Sequence, residues 1–127
     1  MREFLRSDKL YKPRFRYTPC VKTGPLYSVS GVIGLDPATT QIVSGGPYAE
    51  AKQILTLIQA ALPDWGLSFE NLVAARIYTT RMDQFSEINK AWEEAFATIE
   101  PPARTSVGVA ALPAGATVEI EFTLYKD

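Results

Sequence analysis

The chain has 127 residues, 46% hydrophobic and 21% charged, with a formal net charge of −1 at pH 7. That length and balance predict one globular domain over residues 1–127, large enough to fold without a disulfide or a metal. With no histidine and a single cysteine, Ser-His-Asp and Cys-His catalysis are excluded and a zinc site has too few ligands, while the near-neutral charge argues against nucleic acid as a general partner.

The start, MREFLRSDKLYKPRFR, has no apolar core of the secretory type, and no apolar run approaches a membrane span. The cytoplasm is therefore the expected location, with no membrane partner. Residues 1–13 read as an N-terminal arm ending at Pro13. The β-type run from Arg14 to Val21 predicts a strand, restricted by Pro19 to an edge or bulge. Lys22-Thr23-Gly24-Pro25 is a turn signal, and Leu26–Ser30 alternates as a second strand closed by Gly31, so the two suggest a hairpin. Residues 31–47 are loop-rich, with a short strand near Gln41–Val43. Pro47 suits the first turn of a helix whose Ala51, Ile54, Leu55, Ile58, Ala61 and Leu62 form one apolar face, stopped by Pro63 and Gly66.

Asn71 to Thr80 predicts a central strand, apolar on both faces. A second helix follows, with Phe85, Ile88, Trp92, Ala95 and Phe96 at helical spacing and Asp83 or Ser86 as cap. Pro101-Pro102 ends that segment. A short strand over Ser106–Val109 and a loop over residues 111–116 precede an alternating strand, Thr117 to Tyr125. Two amphipathic helices on one face of a mixed sheet make a two-layer α+β fold.

Several residues here can carry chemistry. Pro101 and Pro102 restrict the backbone, which predicts a stiff loop holding Arg104. Its guanidinium fork matches a carboxylate bidentately; a plain surface ion pair is the competing reading. Glu119 and Glu121 share a strand face, where a half-buried acid can hold or deprotonate a water, or simply meet solvent. Tyr17 can donate a hydrogen bond or fill a strand face. Asn89 is a poor mid-helix residue and so bonds something specific. Ser30-Gly31 is a place where backbone can approach a ligand. Cys20 reads as a small buried hydrophobe. Gly45-Gly46 lacks the motif of a phosphate loop and reads as a helix entry.

The segment PPARTSVGVAALPAGATVEIE (residues 101–121) resembles the C-terminal signature of the Rid family, the YjgF-type reactive intermediate deaminases also called endoribonuclease L-PSP proteins. YSVSG (27–31) and ARIYTTRMDQFSEINKAWEEAF (75–96) resemble its strand before the Ser-Gly turn and its central strand and second helix. The resemblance implies a chorismate-mutase-like α+β fold, a homotrimer with sites between subunits, and hydrolysis of 2-imino acids of the 2-iminobutanoate/2-iminopropanoate type to 2-keto acids and ammonia, without a cofactor. By position, Arg104 looks like the carboxylate-binding arginine and Glu119 like the water-positioning acid. Tyr17, Ser30, Gly31 and Asn89 look like pocket members, and Ser106 stands where many relatives have cysteine. The C-terminal stretch then reads as half a site, with Tyr17 and its neighbours supplied by an adjacent chain. Val32-Ile33-Gly34 departs from the Gln-Ile-Pro of many relatives. A trimer that binds a small carboxylic acid without turnover, an aminomuconate-type deaminase and a ribonuclease are the alternatives.

Overall fold

A computed structural model describes residues 1–127. Six strands, β1 (Arg2–Leu5), β2 (Cys20–Thr23), β3 (Leu26–Ile33), β4 (Leu72–Thr79), β5 (Ala103–Gly108) and β6 (Val118–Tyr125), form one sheet in the order β1-β2-β3-β6-β4-β5. All pairs are antiparallel except β4–β5. Two helices, α1 (Gly46–Ala61) and α2 (Phe85–Ala95), cover one face. This is the two-layer α+β arrangement that the apolar spacings predict.

The strand β6 shows why. Val118, Ile120, Phe122 and Leu124 are fully buried, while Glu119, Glu121 and Thr123 between them are half-buried on the other face. Each such apolar side chain contributes about 1.5–3 kcal/mol on burial. The α1 face is equally regular: Ala51, Ile54, Leu55, Ile58, Ala61 and the following Leu62 are all buried. In α2, Ile88 and Trp92 are buried, and Phe96 caps the helix and stacks with Phe69 at 5.0 Å.

Four local expectations are corrected. Residues 14–19 are not a strand; pairing starts only at Cys20, because Pro19 has no N–H to give a ladder. The β3 strand does not end at Gly31 but runs to Ile33 through a register shift between Val29 and Val32, a β-bulge at Ser30-Gly31. Arg104 lies within β5, not in a loop before it: parallel pairing with β4 begins at Ala103, directly after the prolines. Neither Asp83 nor Ser86 caps α2. Gln84 holds the cap position with no side-chain bond, and Asp83 pairs instead with Arg81 at 2.9 Å.

Part of the N-terminal arm is sheet. Arg2–Leu5 pairs antiparallel with β2, and the Trp65 indole N–H donates to the Arg6 carbonyl at 3.0 Å. The remainder, up to Pro19, crosses the end of the sheet and is tied to β3 by the Tyr11 hydroxyl, which accepts from Ile33 N–H at 2.9 Å. Cys20 is fully buried, and burial pushes its thiol up to about 12. No helix is long and apolar enough to cross a membrane.

Candidate functional site

Residues directly paired across a sheet share a face. Arg104 pairs with Ala75, which pairs with the buried Phe122, so Arg104 is on the helix side. Glu119 pairs with Tyr78 on the opposite, open face. Arg104 and Glu119 therefore do not face one another within one chain, contrary to the expectation that the C-terminal stretch presents them together. The seven candidate residues fall into two groups.

The first group sits at the β5 edge. The Arg104 guanidinium lies over the rings of Phe85 (5.3 Å) and Trp92 (5.2 Å), both on α2. Cation–π attraction and an aromatic shelf hold it there. Its Nη1 donates to Asn89 Oδ1 at 2.9 Å, and Asn89 Nδ2 donates in turn to Glu93 Oε1 at 3.2 Å. That bond accounts for an asparagine in the middle of α2. Arg104 is exposed and enters no ion pair, so no carboxylate occupies the donors that Asn89 leaves over. Ser106 lies two residues on, on the same face of β5, half-buried and paired with Ile77.

The second group lines a pocket of about 500 Å³ on the open side of the sheet. Tyr17, Ser30, Gly31 and Glu119 are all in its wall. The bulge brings the backbone of Gly31 against the Glu119 carboxylate: a Cβ there would stand 2.1 Å from Glu119 Oε2. Only glycine admits that approach. Ser30 N–H donates to the Pro19 carbonyl (2.9 Å) and its hydroxyl to the Thr18 carbonyl (2.7 Å), fixing the Tyr17 loop against the bulge. Burial, and then the charge of Glu121, hold the Glu119 carboxyl above its usual range. Burial also raises the Tyr17 phenol, with Glu119 adding to it. Glu121 accepts from the Tyr78 hydroxyl and has Arg76 Nε at 4.0 Å.

Sequence reasoning missed other lining residues, Tyr11, Arg14, Phe15, Pro113 and Ala114 among them. The one signal for the first of these was the density of aromatics at 11, 15 and 17 in an otherwise polar arm. Burial pushes the Tyr11 phenol to about 12. No group of three or more His, Cys, Asp or Glu side chains is placed to hold a metal.

A helix-backed mixed sheet, with a free arginine at one edge and a carboxylate-bearing pocket on its open face, defines a two-layer α+β protein with a site of small-molecule size. The chain belongs to the endoribonuclease L-PSP family, that of the Rid (YjgF-type) proteins, whose sequence profile matches residues 8–125. It is 40% identical over 105 residues to the 2-iminobutanoate/2-iminopropanoate deaminase of Capra hircus, covering 83% of this chain and 76% of that one. Among solved structures, it resembles a putative endoribonuclease of Thermotoga maritima (TM-score 0.92, 33% identity, 100% and 99% of the two chains covered). It also resembles RidA from an Antarctic Psychrobacter (TM-score 0.91, 32% identity, 98% and 99% covered).

Proposed function

We propose that this protein hydrolyses 2-imino acids to 2-keto acids and ammonia, at sites formed between the subunits of a homotrimer. The observation that carries the reading is the unpaired Arg104 fork, held on an aromatic shelf while the carboxylate of Glu119 faces away on the other side of the same sheet. The clamp and the acid lie on opposite faces within one chain, and a second copy brings them together. The deaminase named among the relatives gives the chemical class.

In this mechanism Arg104 clamps the substrate's α-carboxylate through two charge-assisted hydrogen bonds. Glu119 of the facing copy accepts a proton from water as its oxygen bonds to the imine carbon. The C=N π electrons move to nitrogen, which takes up the proton that Glu119 accepted. In the resulting carbinolamine the hydroxyl proton passes by way of Glu119 to the amine as the C=O bond forms and the C–N bond breaks, which releases ammonia, leaves the ketone and returns Glu119 to its ionised form. Placement supplies most of the acceleration, because imines are already electrophilic. Tyr17, the Ser30-Gly31 backbone, Asn89 and Ser106 line the site and orient substrate and water. No cofactor takes part.

The test couples an amino-acid oxidase to the protein and follows imine loss by trapping with semicarbazide. Wild type accelerates the loss, and Arg104→Ala does not. Equal loss with wild type and variant, across several amino acids, refutes the reading.

A further inference from the structure

The pocket carries one cation that the reaction above leaves unused. Arg14 lies in its wall, opposite in charge to Glu119, the one acid there. It forms no ion pair. One of its terminal N–H groups goes to the Thr40 carbonyl. A guanidinium has five donors in a planar fork, so most remain for a ligand. The anchor is itself braced: Thr40 has φ 58°, and its N–H donates to the Asp36 carbonyl at 2.7 Å. Asp36 N–H donates to Gln41 (2.9 Å), and its carboxylate takes the Ala38 N–H at 2.8 Å. Arg14 is thus docked on a closed turn at the pocket, and its charge reaches the wall, acting against the upward push on the Tyr11 phenol.

Apart from Arg14 and Glu119 the wall is mainly apolar, including Phe15, Ile33, Leu35 and Pro113. A volume of about 500 Å³ is in the range that takes a drug-sized ligand, more than a two-carbon side chain fills. With the α-carboxylate on Arg104 of the adjoining copy, a substrate stem runs along this wall. A short neutral side chain leaves the Arg14 fork to water. A side chain ending in an anion satisfies it through charge-assisted hydrogen bonds.

We infer that Arg14 is a specificity-determining residue, selecting 2-imino acids whose side chain ends in a second carboxylate. The inference rests on the reading of the site given above, but its test reads binding separately from turnover. The stable products serve as probes: 2-oxoglutarate, with two carboxylates, and 2-oxobutanoate, with one, titrated calorimetrically into the full chain. Wild type binds the dicarboxylate about tenfold more tightly, the gain of one charge-assisted hydrogen-bond pair. Arg14→Gln removes that preference and leaves 2-oxobutanoate affinity unchanged, while Arg14→Lys restores part of it. A merely structural role for Arg14 would weaken both acids alike, and that result overturns the inference, as does equal binding of both acids to wild type or binding of neither. Hydrolysis of the alanine and leucine imines with no dicarboxylate preference overturns it and leaves the imine reaction standing. An Arg14-dependent preference without hydrolysis of any imine, the glutamate imine included, supports the inference and refutes the reaction.

Discussion

The two halves of the candidate site treat charge in opposite ways. Around Arg104 the environment is open and accommodating: two rings below, an asparagine oxygen beside, solvent above. Nothing there opposes the cation, and nothing neutralises it. Around Glu119 the environment is concave and drier, with the Gly31 backbone pressed against the carboxylate and a second acid two residues away. There ionisation is disfavoured. The first arrangement suits binding, where a constant charge is wanted. The second suits proton transfer, where a carboxylate reluctant to ionise is a better base once it has done so. One sheet carries both, on opposite faces, and separates the two tasks by the pleat of β5 and β6.

The largest expected effect comes from recombining the halves. Under the proposed mechanism Arg104→Ala and Glu119→Gln each lose about a thousandfold or more in kcat/KM, because one removes the proposed clamp and the other the proposed base. Subunits of the two variants mixed randomly in a trimer recover about a quarter of wild-type sites, since each such site needs an intact Arg104 from one copy and an intact Glu119 from the next. Co-expression with two tags, followed by the semicarbazide assay, measures it. Failure of the mixed trimers to regain activity refutes a site shared between Arg104 and Glu119 of neighbouring copies.

Gly31→Ala comes next. Its Cβ would stand 2.8 Å from Glu119 Cδ and closer still to the oxygen, so the carboxylate must move. A displacement of about 1 Å costs about a hundredfold in kcat. The fold should tolerate the change, because the residue sits in a bulge and what yields is the end of a flexible side chain. Circular dichroism and Tm near wild type, with kcat greatly reduced, is the expected pair of results. Unchanged kcat removes Glu119 from the chemistry.

How much of this was legible follows from which signals are local. The α1 face and the β6 alternation were readable because burial imposes a period on consecutive residues. Arg104 was readable as a guanidinium after two prolines, but not as a strand residue, since its pairing with Ala75 is made across a crossover through α2. The continuation of β3 beyond Gly31 was hidden for a similar reason: a bulge adds an unpaired residue, and its partner strand, β6, lies nearly ninety positions on. Tyr11, Arg14 and Phe15 come from a segment with no period at all. Which face a residue serves depends on register, and register is set by distant partners.

A third expectation concerns protons. The raised Glu119 carboxyl means that the folded chain holds this proton above the pH at which the unfolded chain releases it. Stability from this group is therefore fully present below the ordinary glutamate value and falls as pH rises through the folded one. The proposed reaction needs the ionised form and is expected to run the other way, rising with pH over the same window. Tyr11, Tyr17 and Arg14 line the Glu119 pocket from the arm, and on the sheet Tyr78 pairs with Glu119 while Arg76 pairs with Glu121. Glu121→Gln removes the one like charge among them, so the acid limb of kcat moves to lower pH while the plateau rate stays within about twofold. A limb that does not move would show that burial alone sets the Glu119 proton.

The smallest effect tests whether the Arg104 half is as passive as its surroundings suggest. Asn89 touches the guanidinium and is itself held by Glu93. Asn89→Ala removes one neutral acceptor from a cation that keeps both rings beneath it. The loss is about 1 kcal/mol, roughly a fivefold rise in KM. Because the bond orients the clamp and Glu119 is untouched, kcat and its pH profile should hold. A change in kcat larger than that in KM would mean that Asn89 also contacts the reacting atoms. In that case the proton-handling residues are not confined to the open face of the sheet, and the division of tasks between its two faces fails.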